Sequence, residues 1–267
     1  MMQSNLGAGL VRPGMATDVA GTASILTVGV DRVHPAVTAV PGMLYSLATL
    51  PGQSLYWGYV KAGGLSLRWF RDDILHMPGD DAVYAASDAD ADTVAPGSDG
   101  VMFLPYLSGG NPDNPNAAGC WLGMTTASNR AVLWRSMLES IAFEYADFLE
   151  VFMSNGIPVA EVRGVGGGAR SPLWNAIKAS ATGVPWRVPN RQDGAVLANA
   201  ALAGVAVGVL DDLAATMAAW VQPGSAADPD PFAAAAYAAV RMARRTMLGT
   251  SMREVFSAIA PLRDAVI

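Results

Sequence analysis

The sequence predicts an α/β domain built around a mixed sheet, and three observations carry that expectation. Residues 6–30 are rich in Val, Ile and Thr around a Pro13-Gly14 turn, residues 130–154 hold an unbroken helical period, and beyond Ala160 strand and helix patterns alternate. With 267 residues, 52% of them hydrophobic and 15% charged, the chain can bury a sizeable core and is too apolar to be disordered. A net charge of -6 with thinly spread Lys and Arg offers no footprint for nucleic acid or an anionic membrane. The opening "MMQSNLGAGL" lacks the basic-then-apolar pattern of a signal peptide. The longest apolar run, Ala195 to Leu210, is too short and too rich in Ala and Gly for a membrane span, so it reads as a buried helix. The lone Cys120 cannot form an internal disulfide and is expected to pack as a small hydrophobe, which fits a cytoplasmic protein.

Taken in order, "LGAGLV" from Leu6 and "VAGTASILTVGV" from Val19 read as strands. "YWGYVKAGGLSLRWFRDDIL" begins extended and turns helical near Ala62, with Gly63 and Gly64 at the helix entrance. Ala86 to Gly100 is the most acidic stretch and reads as a solvated loop. Its Asp88, Asp90 and Asp92 copy the first ligands of a calcium loop, but Thr93 stands where that loop needs Gly, and Asp99 where it needs Glu. "VMFLPYL" reads as a buried strand, followed by a Gly/Pro/Asn-rich loop through Ala118 and a short extended "CWLGMT". The longest helix runs from Arg130 to Ser154, with Trp134, Leu138, Ile141, Tyr145, Phe148 and Phe152 on one face, Arg135, Glu139, Asp147 and Glu150 on another, and Asn155-Gly156 as its stop. Strand "AEVRGVGG", helix Ser171 to Thr182, strand "WRV", helix Asp193 to Leu210 and further Ala-rich helical segments complete the chain.

The stretch "GVGGGARSPLWNAIKASATG" concentrates the chemistry. Ser171 can cap the helix amides, Pro172 suits the first helical position, and Gly183 can close the far end. A strand feeding a glycine turn into a helix N-terminus offers free amides and the positive end of a dipole, with no Cβ in the way, so something flat or anionic can lie there. A Walker loop is excluded, because neither Lys61 nor Lys178 follows a glycine. Gly164, Gly166 and Ala169 do satisfy G-x-G-x-x-A, but "WRV" runs into Pro189 and Asn190, and the ribose-binding acid of a dinucleotide site is missing. A plain packing role for the glycines is the third alternative. "AGTAS", from Ala20 to Ser24, is a second glycine turn, with the hydroxyls of Thr22 and Ser24 beside it. Together with Gly63-Gly64 and Gly166 to Gly168 it suggests three backbone contacts around one nucleotide.

These residues resemble the C-terminal, nucleotide-binding domain of the FGGY carbohydrate kinases, which share the actin-like, ribonuclease H-like fold. The likeness runs through "LGAG", "AGTAS", "AGGLSLRWFRD", "FLPYLSG", "GCWLGMT", "LWRSMLESIAF", "GGGARSPLW" and "DGAVLANAALAGVAVG", in the family's order, and departs at Val132, where a polar residue is usual. It implies an actin-like domain with a mixed sheet flanked by helices, and ATP-dependent phosphorylation of a sugar hydroxyl, with magnesium, on a ketose or polyol such as xylulose. By the same resemblance Gly21 and Thr22 lie near the terminal phosphates, and Gly64 and Arg68 line the nucleotide cleft. Gly167, Gly168 and Ala169 would pass under the adenosine. Arg68 replaces a polar amide common in relatives.

The family's catalytic Asp would fall immediately before Met1. Residues 1–267 are therefore expected to be a half-kinase without its N-terminal domain, binding nucleotide weakly and turning over no substrate alone. Asp18 and Asp193 are the best local candidates for a water-mediated magnesium contact, although turn and cap roles explain them more simply. His34 and His76 lack the partners of a triad or a zinc site. The expected partners are ATP and a small sugar, with no nucleic acid and no membrane; a homodimer is left open. Two alternatives stand beside the kinase: an NAD-dependent Rossmann-type oxidoreductase and a noncatalytic actin-like ATP-binding module.

Overall fold

The computed structural model describes residues 1–77, 79–191 and 193–264. Its first half is α1 (Met2–Gly7), β1 (Ala16–Ala20), β2 (Ser24–Val30), α2 (Pro35–Thr38), β3 (Leu44–Leu47), β4 (Ser54–Val60), α3 (Gly63–Trp69) and α4 (Asp81–Asp92). The second half is β5 (Met102–Leu104), β6 (Cys120–Leu122), α5 (Arg130–Ser154), β7 (Val162–Val165), α6 (Pro172–Thr182), β8 (Trp186–Pro189), α7 (Gly194–Ala206), α8 (Leu213–Trp220), β9 (Pro223–Ala227), α9 (Pro231–Gly249) and α10 (Ser251–Asp264). Seven strands form one mixed sheet in the order β3-β4-β2-β1-β7-β8-β9, and β5 and β6 form a separate antiparallel pair.

The sheet changes character at β1. β1, β2, β4 and β3 are joined antiparallel, as short connections between neighbouring strands allow, whereas β1 pairs parallel with β7 and β7 with β8. This is a mixed sheet, and the all-parallel sheet of a dinucleotide-binding fold is not present, so the Rossmann reading falls. α5 and α6 pack on one side of the strands, where Leu26, Val28, Tyr56, Trp134, Ile141, Trp174 and Trp186 build the main core. None of the described helices is long and apolar enough to cross a membrane.

Several local expectations hold, because their causes are local. Ser171 accepts the Trp174 amide, Pro172 sits in the first turn of α6, and Gly183 closes that helix in the left-handed region at φ 71°. α5 has the predicted bounds.

Four others need correction. "LGAGLV" is no strand: Leu6 and Gly7 end α1, and Gly7 lies so close to Gly194 of α7 that a Cβ would overlap its carbonyl. Docking on α7 outweighs the β-like composition. The acidic stretch is loop only in its later part: residues 86–92 belong to α4, since Asp80 caps that helix by accepting the Val83 amide and Ala82, Ala85, Ala86, Ala89 and Ala91 favour it. α7 ends at Ala206, Gly208 at φ 73° turns the chain soon after, short of Leu210, and the segment is not buried throughout, since Val196, Val207 and Val209 are exposed. β9, with its Gly-Ser-Ala composition, carries no strand signal and exists by pairing with β8. On α5, Arg135 and Glu139 are buried. Arg135 Nε donates to Glu139 Oε1 at 2.8 Å, and Glu139 also accepts the Gly97 amide and the Ser98 hydroxyl.

Candidate functional site

The site is assembled from three chain bends. β1 leaves the sheet at Ala20 and returns as β2 through Gly21 and Thr22. α3 starts against that turn: the Gly64 amide donates to the Gly21 carbonyl and the Leu65 amide to the Thr22 carbonyl, each at 3.0 Å. β7 runs into Gly166, at φ 91°, then a tight turn over Gly167–Arg170, then the Ser171 cap of α6.

The glycines have mixed reasons. A Cβ on Gly64 would overlap the Gly21 carbonyl, one on Gly166 would stand 2.7 Å from the Ala20 carbonyl, and one on Gly168 would meet the Trp174 ring at 2.5 Å and the Ala20 Cβ at 2.8 Å. These three are glycine because the bends pack on one another. Gly167 differs, with only an Arg170 nitrogen, at 3.8 Å, in reach of such a Cβ. The amides of Gly64 and Leu65 are therefore spent within the protein, and sequence reasoning that gave every bend to the ligand overstated that role.

Above the bends lies a cleft of about 700 Å³. Gly21, Thr22, Gly64, Arg68, Gly167 and Gly168 all line it, while Ala169 is buried beneath and offers its carbonyl to Asn175 Nδ2 at 2.8 Å. The opposite wall is one stripe of α4, with Asp81, Tyr84, Asp88 and Asp92 at helical spacing, and Trp134, Leu138 and Trp174 close the back. Sequence reasoning missed this wall because it took Ala86 to Gly100 for a loop and assigned no element to residues 81–85. The signal was there in the three-, four- and seven-residue spacing of Asp81, Tyr84 and Asp88.

The electrostatics of the cleft are divided. Asp88 accepts from Trp134 Nε1 at 2.8 Å, and burial raises its carboxyl above the usual range. Burial likewise raises the Tyr84 phenol. Arg170 reaches Asp81 at 2.8 Å in a pair largely open to solvent. The α6 N-terminus and the Gly167 turn favour an anion, whereas the α4 stripe supplies acceptors that suit hydroxyl or amino donors. No histidine, cysteine or lysine is among the lining residues.

Neither candidate magnesium carboxylate behaves as expected. Asp18 is fully buried in β1 and ion-paired with Lys178 at 2.6 Å, so it occupies no turn and faces no solvent. Asp193 precedes α7 without a side-chain cap, 3.9 Å from Arg191. Among the described residues no cluster of three or more His, Cys, Asp or Glu could hold a metal ion.

A mixed sheet covered by helices, with a cleft where β1, β7 and the α6 N-terminus converge, is the actin-like fold. Known proteins agree. The sequence profile described as "FGGY family of carbohydrate kinases, C-terminal domain" matches residues 16–207. A glycerol kinase of Bordetella parapertussis is 33% identical over 218 residues, 78% of this chain and 42% of that protein. A gluconokinase of Bacillus licheniformis is 28% identical over 217 residues, again 78% of this chain and 42% of that one. The crystal structure of xylulose kinase from Rhodospirillum rubrum superposes with a TM-score of 0.79 at 27% identity, covering 98% of this chain and 50% of that one. The chain belongs to the FGGY family of carbohydrate kinases and corresponds to their C-terminal domain. It spans about two fifths of the length of the curated relatives it matches.

Proposed function

We propose that this chain is the ATP-binding half of a cytoplasmic kinase that phosphorylates a hydroxyl of a small polyhydroxylated substrate, a ketose or polyol such as xylulose. The observation that carries the reading is the cleft itself: six of the seven predicted contact residues, from three distant parts of the sequence, line one space of nucleotide size. In this reading Gly21 and Thr22 take the terminal phosphates, the Gly167–Gly168 turn lies under the nucleoside, and the α4 acids face its hydroxyl and amino donors. Arg68 adds positive charge at the cleft wall.

Phosphoryl transfer asks mainly for positioning and charge neutralisation, plus a base for the attacking hydroxyl. The residues of this chain supply the positioning; the carboxylates in the cleft belong to the wall assigned to the nucleoside, and the reading gives them no role as base. Names of relatives, glycerol kinase, gluconokinase and xylulose kinase, support a sugar or polyol acceptor without choosing among them. Isothermal titration with ATP-magnesium and separately with NAD tests the nucleotide. Heat on ATP addition with silence on NAD is the expected result, and the reverse overturns the proposal.

A further inference from the structure

Beneath the cleft lies an ion pair that a stable core does not require. Asp18 of β1 and Lys178 of α6 are 160 positions apart, both side chains have 0% exposure, and Nζ stands 2.6 Å from Oδ2. The surroundings are aromatic: Tyr145 donates its hydroxyl to Asp18 Oδ1 at 2.6 Å, Trp186 Nε1 reaches Oδ2 at 3.3 Å, and the ammonium lies 3.9 Å from the centre of the Trp174 ring. Burying two charges forfeits their hydration, and a well-packed apolar pair of similar volume commonly serves stability as well or better. What apolar side chains cannot reproduce is direction, because a charge-assisted hydrogen bond holds its two ends at one separation and one angle.

Both ends of this bond lead to the cleft. Asp18 lies three residues before Gly21, the first residue of the phosphate turn in the proposed reading. Lys178 holds the Trp174 ring, whose outer edge confines Gly168 so tightly that a Cβ there would touch it at 2.5 Å. Trp174 also donates its Nε1 to the Leu138 carbonyl at 3.0 Å, so the ring is held on a second side. One continuous line of contacts thus runs from the Gly21 turn through Asp18, Lys178 and Trp174 to the Gly168 turn.

We propose that Asp18 and Lys178 are positioning residues: their bond sets the spacing between the two glycine turns, and through it the affinity of the cleft for nucleotide. The affinity clause rests on the ATP reading above; the spacing clause does not.

The test compares the full chain with Asp18→Leu/Lys178→Met, in which both charges are replaced together so that neither is left unpaired. The expected outcome is a double variant that melts within a few degrees of the unaltered chain, binds ATP-magnesium at least tenfold more weakly, and exchanges its amide hydrogens at residues 20–23 and 166–169 at least tenfold faster. Unchanged exchange at both turns overturns the proposal, because the pair is then only core filling. If the unaltered chain binds no ATP, the nucleotide reading fails, and the exchange rates still decide whether the pair sets the spacing. Should the double variant not fold, Asp18→Asn/Lys178→Met, which keeps an acceptor for Tyr145 and Trp186, carries the same comparison. The single variants Asp18→Leu and Lys178→Met each strand a buried charge and are expected to melt far lower than either double variant.

Discussion

Gly64 gives its amide to the Gly21 carbonyl at 3.0 Å, and a methyl group on Gly64 would overlap that same oxygen. The start of α3 and the Gly21 turn therefore touch backbone to backbone. Gly64→Ala must separate them, at a cost of about 1–3 kcal/mol, the usual range for overpacking. A lowered melting temperature together with weaker ATP binding by calorimetry is the expected pair of results.

Two adjacent glycines should respond differently. Gly168→Ala pushes a methyl into Trp174 and Ala20 and is expected to destabilise the fold. Gly167→Ala meets little but open cleft, so its stability should stay within about 0.5 kcal/mol of the parent. A loss of ATP affinity in Gly167→Ala without a shift in melting temperature would place the ligand directly against that residue. Unchanged affinity would count against a nucleoside lying there.

Glu139 anchors the Gly97 amide, the Ser98 hydroxyl and the Arg135 guanidinium, all out of solvent. Glu139→Ala leaves Arg135 buried with only the Tyr237 hydroxyl and the Ala91 carbonyl as partners. The expected cost is about 3–5 kcal/mol, read from the urea midpoint, as for other broken buried pairs.

Alkaline pH should unfold the protein with a definite sign. Burial, before any other cause, raises the phenols of Tyr106, Tyr145 and Tyr237 above their ordinary range. Below about pH 10 both folded and unfolded chains keep these protons, and the stabilisation is complete. Above it the unfolded chain releases them while the folded chain does not, so stability falls as pH rises. Lys178 acts in the opposite direction, since burial lowers its pKa and the folded chain gives up that proton early. One such group against these three phenols and that of Tyr84 leaves a net loss. Absorbance at 295 nm from these tyrosines should rise together with the loss of far-ultraviolet circular dichroism.

What the sequence made legible was whatever is decided nearby. Ser171, Pro172 and Gly183 bound α6 by capping rules acting within one turn, and α5 shows its period along its whole length. The acidic face of α4 misled because the charges of Asp88, Asp90 and Asp92 suggested solvent, while the alanines between them and the Asp80 cap formed a helix. A glycine announces that no Cβ fits, but not whether a ligand or another loop occupies the space. Gly64 and Gly168 serve loops, and Gly167 alone of the three stands open. Asp18 looked like a turn residue because its partner, Lys178, lies 160 positions away, a distance at which sequence spacing carries no information.

α5 contains neither Gly nor Pro across its 25 residues, the usual sites of a kink. Its early turns present Trp134 and Leu138 to the cleft; its later turns hold Arg241, Arg244 and Arg245 of α9 through Glu144, Asp147 and Glu150. A beam about 37 Å long, at about 1.5 Å per residue, has no joint at which to absorb a tilt. A tilt of α5 at the cleft would therefore be felt, lever-fashion, at the arginine clamp on its other end.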